Sequence, residues 1–131
     1  MTRLACKLLA LSLGVMLSGE TAARAGMVAQ AGLASWYGEE HRGRLMANGR
    51  KFDPDKFTAA SWFYPLGAKV RVTARTADNA TRSVLVTITD RGPNADFVKA
   101  GRIIDLSHAP FKKLAPPERG LVAVTVRPVR K

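Results

Sequence analysis

Three long segments of the chain alternate apolar and polar residues with a period of two, and two shorter segments are further candidate strands. The five segments are 32–37, 69–73, 83–89, 102–106 and 121–127. In 83–89, Val84, Val86 and Ile88 share one face, which we expect to lie in the core. Five or six short strands in so short a chain predict a small closed barrel, because closure removes exposed strand edges.

Polar segments between the predicted strands indicate how the strands connect. Asp78-Asn79-Ala80 separates two long strands and favours a β-hairpin. Ser107 can cap a helix over 108–114, which Pro116-Pro117 would end. The sequence therefore predicts an all-β (mainly β) domain with one or two short helices.

The first residues of the chain have the pattern of a signal peptide. Arg3 and Lys7 precede an apolar run over 8–17, and Ala23-Arg24-Ala25 provides an A-x-A cleavage site. The run is too short to span a bilayer, which needs ~20 residues. We therefore predict a signal peptide over 1–25; the alternative is a buried N-terminal helix.

Removal of the signal peptide leaves a single domain over 26–131. We expect this domain to be secreted across the inner membrane into the periplasm or cell envelope. Cys6 precedes the apolar run, whereas a lipid-modified cysteine would follow it. No lipid anchor is therefore expected.

Charge and composition narrow the classes of function. Lys and Arg total 21 against 10 Asp and Glu, a formal net charge of +11. With 47% apolar residues, the chain does not have the composition of a disordered basic tail. In an exported protein this charge favours anions other than nucleic acid, namely cell-wall polymers, lipid head groups and acidic polysaccharides, although it could also serve only to solvate the surface. The cations are scattered along the sequence, which favours a diffuse basic surface.

The few Cys and His residues argue against metal or cofactor chemistry. The chain has one cysteine and two histidines, His41 and His108. No CxxC or Cys/His cluster offers a zinc site, and a histidine-based nucleophilic triad has little to build on. We expect no metal and no cofactor, with His41 in a surface loop and His108 in the first turn of the predicted helix.

A long segment without regular periodicity, 38–67, is rich in aromatic and acidic residues. Long loops in compact domains are usually functional or disordered, and the aromatic residues favour order. Sugar rings stack on exposed indole and phenol faces, so Trp36, Tyr37 and Trp62 are candidate substrate-binding residues. Asp53 is a fourth candidate. The alternatives are that the tryptophans only close the barrel ends and that Asp53 starts a turn.

Short motifs occur in a fixed order along the chain. They are 34–38 (ASWYG), 47–49 (ANG), 52–53 (FD), 58–60 (TAA), 65–67 (PLG), 70–73 (VRVT), 89–93 (TDRGP) and 103–107 (IIDLS). In this order the motifs resemble the rare lipoprotein A family of septal-ring-associated lytic transglycosylases. The resemblance covers roughly residues 32–129.

The resemblance implies a fold, a substrate and a reaction. The implied fold is a six-stranded double-psi β-barrel, related to those of expansins and family 45 endoglucanases. The implied substrate is the glycan strand of peptidoglycan, cleaved between MurNAc and GlcNAc to 1,6-anhydromuramic products by a single carboxylic acid/base. Envelope or division-complex proteins are further candidate partners, and we expect a monomer.

Two positions depart from the family pattern. The family usually has Glu where this chain has Arg50, and His where it has Ser61. Both family residues are associated with the active cleft. These departures favour an alternative function, a non-catalytic, expansin-like module that binds glycan or the envelope. The intact motifs around Asp90 and Asp105 favour the enzyme.

Asp105 and Asp90 are the candidate catalytic residues. A general acid must carry its proton near neutral pH, which requires burial or a neighbouring carboxylate. Asp105 alternates with apolar residues of its strand, so it is the first candidate. Asp90 is followed by Arg91, a cation that would favour the ionised form of Asp90 and so suit Asp90 to orienting or binding substrate. Arg91 is itself a further candidate substrate-binding residue. As structural alternatives, Asp90 forms a turn, and Asp105 caps the helix or pairs with Arg91 or Arg102.

Overall fold

The computed structural model describes residues 28–130, which contain six strands and two short α-helices. The strands are β1 (Gln30–Tyr37), β2 (Thr58–Ala60), β3 (Lys69–Arg75), β4 (Thr81–Asp90), β5 (Arg102–Ser107) and β6 (Val122–Pro128). The helices are α1 (Ala95–Lys99) and α2 (His108–Leu114), and single 3₁₀ turns lie at Glu39–His41 and Pro117–Arg119. The predicted signal peptide lies outside the described residues. Within residues 28–130, no helix is both long and apolar enough to cross a membrane.

The six strands close into one barrel in the order β1–β5–β2–β4–β3–β6. β1 pairs in parallel with β5, and β2 pairs in parallel with β4. The other neighbouring strands are antiparallel. This architecture is the double-psi β-barrel implied by the motifs, so the predicted fold class is confirmed.

The alternating apolar positions of the long strands meet inside the barrel. Val70, Val72 and Val126 are completely buried, and Val86 is 1% exposed. Successive side chains of a strand point to opposite faces, and the register pairs Val70 with Val86 and Val72 with Val126. Phe111 of α2, also completely buried, packs against this core. The core faces predicted for these strands are confirmed.

Two elements, β2 and α1, are not predicted by the alternation of apolar and polar residues. β2 has three residues, too few to show a period, and it is held between β4 and β5 by pairing on both sides. α1 has five residues, and none of them is buried. The side chain of Asn94 accepts a hydrogen bond from the Asp96 amide (3.1 Å) and caps its first turn.

The predicted hairpin and the predicted helix α2 are both present. Asn79, with φ of 64°, lies in the turn that connects β3 to β4. Ser107 immediately precedes α2, but the prediction that its side chain caps the helix is wrong. Its hydroxyl instead donates to the carbonyl of Thr58 (2.9 Å), because Ser107 is fully buried against β2. This hydrogen bond connects β5 to β2 beside the cleft described next.

Candidate active site

The barrel carries a cleft of about 330 Å³ at the carboxyl ends of β1, β2 and β4 and beside β5. The register brings the two candidate acids to the same place. Ala60 of β2 pairs with Asp90 on one side and with Asp105 on the other. Neighbouring strands lie about 4.8 Å apart, so the backbones of the two aspartates are about 10 Å apart across the cleft. The polar lining consists of Tyr37, His41, Arg44, Asp90, Arg91 and Asp105.

The Asp105 carboxylate is fixed through one of its oxygens. Its Oδ1 accepts hydrogen bonds from Ser35 Oγ and from Arg102 Nη2 (3.3 Å). The Arg102 guanidinium lies over the ring of Phe97, 4.0 Å from its centroid. Pairing with Arg102 is one of the structural alternatives that the sequence indicates for Asp105. This contact makes the surroundings of the carboxylate more polar than the apolar neighbours of Asp105 along its strand suggest. The second oxygen, Oδ2, lies beside Gly92, where a Cβ would be 3.4 Å from it, an ordinary van der Waals distance.

Asp90 is also fixed through a single oxygen, and by backbone donors. Its Oδ1 accepts from the amides of Ala47 (2.9 Å) and Arg91 (2.8 Å). The Arg91 guanidinium points away from this carboxylate. It donates to the carbonyls of Ser61 (2.7 Å) and Tyr64 (2.6 Å). Arg91 therefore holds the segment after β2 in place beside the cleft and does not form the ion pair that its position in the sequence suggests.

Tyr37 is one of the residues that line the cleft. Its ring stacks on Phe52, with 4.3 Å between centroids. The hydroxyl is buried and finds no hydrogen-bond partner within residues 28–130. Burial, with the nearby charges of Asp90 and Asp105, raises the pKa of this hydroxyl above its usual range. It therefore keeps its proton at physiological pH and can donate a hydrogen bond to a group that enters the cleft.

His41 lines the cleft, although the sequence indicated only a surface loop position for it. Its ring meets the edge of Tyr37 at 5.7 Å, and its Nδ1 lies 2.9 Å from Arg44 Nη1. A guanidinium only donates hydrogen bonds, so Nδ1 is the acceptor in this contact. The loop turns back on itself, and an isolated antiparallel β-bridge joins Leu45 to Lys51. The sequence has no periodicity in this loop that would predict the turn.

Two of the predicted substrate-binding residues have structural roles outside the cleft lining. Trp36 packs against α2, 4.7 Å from the His108 ring, and its indole donates to the carbonyl of Pro117 (2.9 Å). It closes one end of the barrel. Asp53 accepts from the Arg42 guanidinium (3.3 Å) and from a backbone amide two residues on, in a turn.

Trp62 also lies outside the cleft lining, but it is 59% exposed. Its indole donates to the carbonyl of Pro93 (2.7 Å), which fixes the orientation of the ring. Trp62 follows β2 by two residues, and β2 ends at Ala60 in the cleft floor. The exposed indole is therefore a fixed aromatic surface, and both Trp62 and its partner Pro93 are two residues in sequence from residues that line the cleft, Ala60 and Arg91.

The two positions that depart from the family pattern also lie outside the cleft lining. Ser61 is completely buried, and its hydroxyl donates to the carbonyl of Ile103 (3.0 Å). An imidazole at this position would have to displace its neighbours. Arg50 is exposed and lines a separate pocket beside Lys51 and Asp53. Within residues 28–130, no group of three or more His, Cys, Asp or Glu side chains is placed to hold a metal ion.

The fold and the cleft together define a double-psi β-barrel in which two aspartates face each other across one β2 residue. Comparison with known families gives a more particular assignment. The chain belongs to the family described as lytic transglycolase, which matches residues 29–126. The predicted membership of the rare lipoprotein A group is thereby confirmed.

Relatives in several bacteria share this domain. The chain is 44% identical over 95 residues to the endolytic peptidoglycan transglycosylase RlpA of Pseudomonas aeruginosa, covering 72% of this chain and 26% of that protein. It is 39% identical over 97 residues to RlpA of Vibrio cholerae, covering 74% and 34%. The chain thus spans between a quarter and about a third of these two relatives. A Synechocystis protein named uncharacterized protein ssl3177 is 38% identical over 100 residues, covering 76% of this chain and 97% of that protein.

Solved structures show the same fold. The Streptomyces papain inhibitor aligns with a TM-score of 0.57 and 28% identity, covering 79% of this chain and 96% of that one. An expansin of Clavibacter michiganensis aligns with a TM-score of 0.58 and 21% identity, covering 79% and 52%. At this identity the expansin supports the fold alone.

Proposed function

We propose that the domain is an exported peptidoglycan lytic transglycosylase, acting in the periplasm or envelope on glycan strands. The observation that carries the proposal is the placement of Asp90 and Asp105 on either side of Ala60, with Tyr37 in the lining of the same cleft. The family assignment and the names of the relatives support peptidoglycan as the substrate.

The proposed reaction needs one carboxyl group that gives and then takes a proton. Asp105 is the first candidate for this group. Asp90 is the second, because Asp105 is ion-paired with Arg102 whereas Asp90 has no cation within 4.0 Å among residues 28–130. With Asp105 in this role, its carboxyl group donates its proton to the glycosidic oxygen as the bond from C1 of the muramic residue breaks. The 6-hydroxyl of the same residue attacks C1, and the Asp105 carboxylate accepts the hydroxyl proton. The products are a 1,6-anhydromuramic end and a free GlcNAc hydroxyl, and water is not consumed.

Each side chain of the cleft has a role in this scheme. Hydrogen bonds to Asp105 Oδ1 hold the carboxyl group in one orientation and leave Oδ2 facing Gly92 for proton transfer. Asp90, held by two amides, binds or orients the sugar. The protonated Tyr37 hydroxyl donates to a sugar oxygen, because it has no partner within the described chain.

Product analysis tests the proposal. Residues 26–131 incubated with purified peptidoglycan are expected to release 1,6-anhydro-muropeptides, identified by mass spectrometry. The Asp105→Asn variant serves as the control for contaminating activity. Reducing ends in place of anhydro ends would indicate hydrolysis with a water nucleophile, the outcome of a two-carboxylate glycosidase, and would overturn the mechanism.

A second candidate function is a glycan-binding module without turnover. It is favoured by Arg50 and Ser61, which replace the Glu and His of the family pattern, and by the exposed, fixed indole of Trp62. The same incubation separates the two candidates. Sedimentation with sacculi in the absence of any anhydro product would favour the binding module.

Trp62→Ala is expected to weaken binding to sacculi by roughly 2- to 10-fold, the range expected for an aromatic stacking contact. The loss should be the same at low and high salt, because stacking does not depend on charge. Phe57→Ala is the matched control, since Phe57 is 41% exposed and lines a different pocket, beside Arg82 and Leu85. Equal losses in the two variants, measured by co-sedimentation, would contradict a sugar-stacking role for Trp62.

A further inference from the structure

The outer surface of β6, β3 and β4 gathers cations that are distant in the sequence. Lys69, Arg71 and Arg75 alternate along β3 with buried residues and point outward. Arg127 of β6 is the direct partner of Arg71 in the antiparallel register. We name these four residues the basic wall. The β-strand rise of about 3.4 Å per residue makes the row from 69 to 75 about 20 Å long.

The charges of the basic wall are not neutralised by the protein. Within residues 28–130, none of its four cations lies within 4.0 Å of a carboxylate. Like charges directly opposite on neighbouring strands are destabilising, and Arg71 faces Arg127 in this way. An anion bound between them would relieve this repulsion.

A shallow groove of about 700 Å³ adjoins the basic wall. Arg75 lines it together with the hydroxyl-bearing residues Thr73, Thr81 and Thr125. The rest of the lining comes from β1, from the two residues before β5 and from β6, and most of these residues are small, among them Gly32. All residues that line the groove differ from those that line the cleft, which is at the other end of β1.

We propose that the basic wall and its groove bind a linear polyanion, a polymer that carries carboxylate or phosphate groups on successive units. Guanidinium and hydroxyl groups are the donors that recognise such oxygens. The row of cations is longer than a small anion, which favours a polymer. The exposed apolar side chains beside the basic wall are single residues, Leu85 next to Arg71 and Val129 next to Lys69, and they lie among cations, which favours a soluble polyanion over insertion into a membrane. This binding needs no turnover and goes beyond the proposed function.

The test compares two variants that lose the same charge. Arg71→Gln/Arg127→Gln removes two cations of the basic wall. The control, called the α2 variant, is Lys112→Gln/Arg119→Gln, which removes one exposed cation of α2 and one of the 3₁₀ turn that follows it. The probes are polygalacturonate, a carboxylated polymer, inorganic polyphosphate, and neutral dextran. We expect the wall variant to bind an anionic polymer roughly 10-fold or more weakly, as two charge-assisted hydrogen bonds would require. The α2 variant should stay within about twofold of the wild type, because net charge alone has little effect at moderate salt.

Each outcome of this comparison is decisive. Binding of either anionic polymer that is lost only in the wall variant supports the proposal, and the polymer that binds identifies carboxylate or phosphate as the recognised group. Equal losses in both variants would show that net charge alone acts and would overturn it. Binding to neither polymer, or binding only to anionic phospholipid vesicles, would also overturn it. Binding is measured without turnover, so failure of the catalytic proposal would leave this result unchanged.

Discussion

Asp105→Asn is expected to lower the release of anhydro-muropeptides by roughly 10²-fold or more while the domain stays folded. Asparagine keeps the shape of the side chain and can still accept hydrogen bonds from Ser35 and Arg102 through its amide oxygen. It has no carboxyl proton to give to the glycosidic oxygen and cannot take the proton of the 6-hydroxyl. Turnover should therefore fall without a matching fall in the thermal unfolding midpoint.

The control for this prediction is Asp96→Asn, an exposed carboxylate in the first turn of α1. It should leave turnover unchanged. Asp90→Asn is expected to reduce turnover because Asp90 faces Asp105 across Ala60, and a larger loss there would exchange the roles of the two aspartates. Full activity in both Asp105→Asn and Asp90→Asn would exclude the single-carboxylate mechanism.

The sequence is a good guide to those site residues that lie at strand ends. Tyr37, Asp90 and Asp105 all belong to motifs inside or at the end of predicted strands, and the structure brings them into one cleft. The strand pairing on both sides of Ala60 is what joins them. That pairing is a long-range property, so the motifs predict the residues but not their separation.

The sequence is a poor guide to residues on the loop 38–57. His41 and Arg44 line the cleft, whereas Asp53 of the same loop binds Arg42. Which side chains face the cleft depends on how the loop turns back on itself, and a loop without periodicity carries no signal for this. Contacts between residues adjacent in the sequence are equally hard to predict. The Arg91 guanidinium, for example, donates to two carbonyls and does not contact Asp90.

The fold shows the same division between local and long-range information. Alternation identifies β3, β4 and β6, because each presents a full apolar face to the core. β2 is set by its two neighbours, and three residues cannot show alternation. The strand register also changes the predicted distribution of cations on the surface. Cations scattered along the sequence suggest a diffuse surface, but pairing of β3 with β6 places Arg71 against Arg127.

Val86→Asp is expected to destabilise the domain by about 4 kcal/mol or more, a large part of the stability of a typical small domain. Val86 is 1% exposed, and its partner on the neighbouring strand β3 is the completely buried Val70. A carboxylate at this position would be buried without a partner, which is far more costly than the loss of apolar contact alone. Thermal and urea unfolding followed by circular dichroism measure the effect.

Leu85→Asp is the matched control for Val86→Asp, because the two residues are adjacent on β4 and point to opposite faces. Leu85 is 41% exposed on the outer surface, beside Arg71 in the register. An aspartate there stays hydrated and faces a cation, so the free energy of unfolding should change by less than about 1 kcal/mol. A large loss in Leu85→Asp with a small one in Val86→Asp would reverse the face assignment of β4. The period-two pattern places these neighbouring residues in opposite environments, and the contrast between the two variants tests that placement directly.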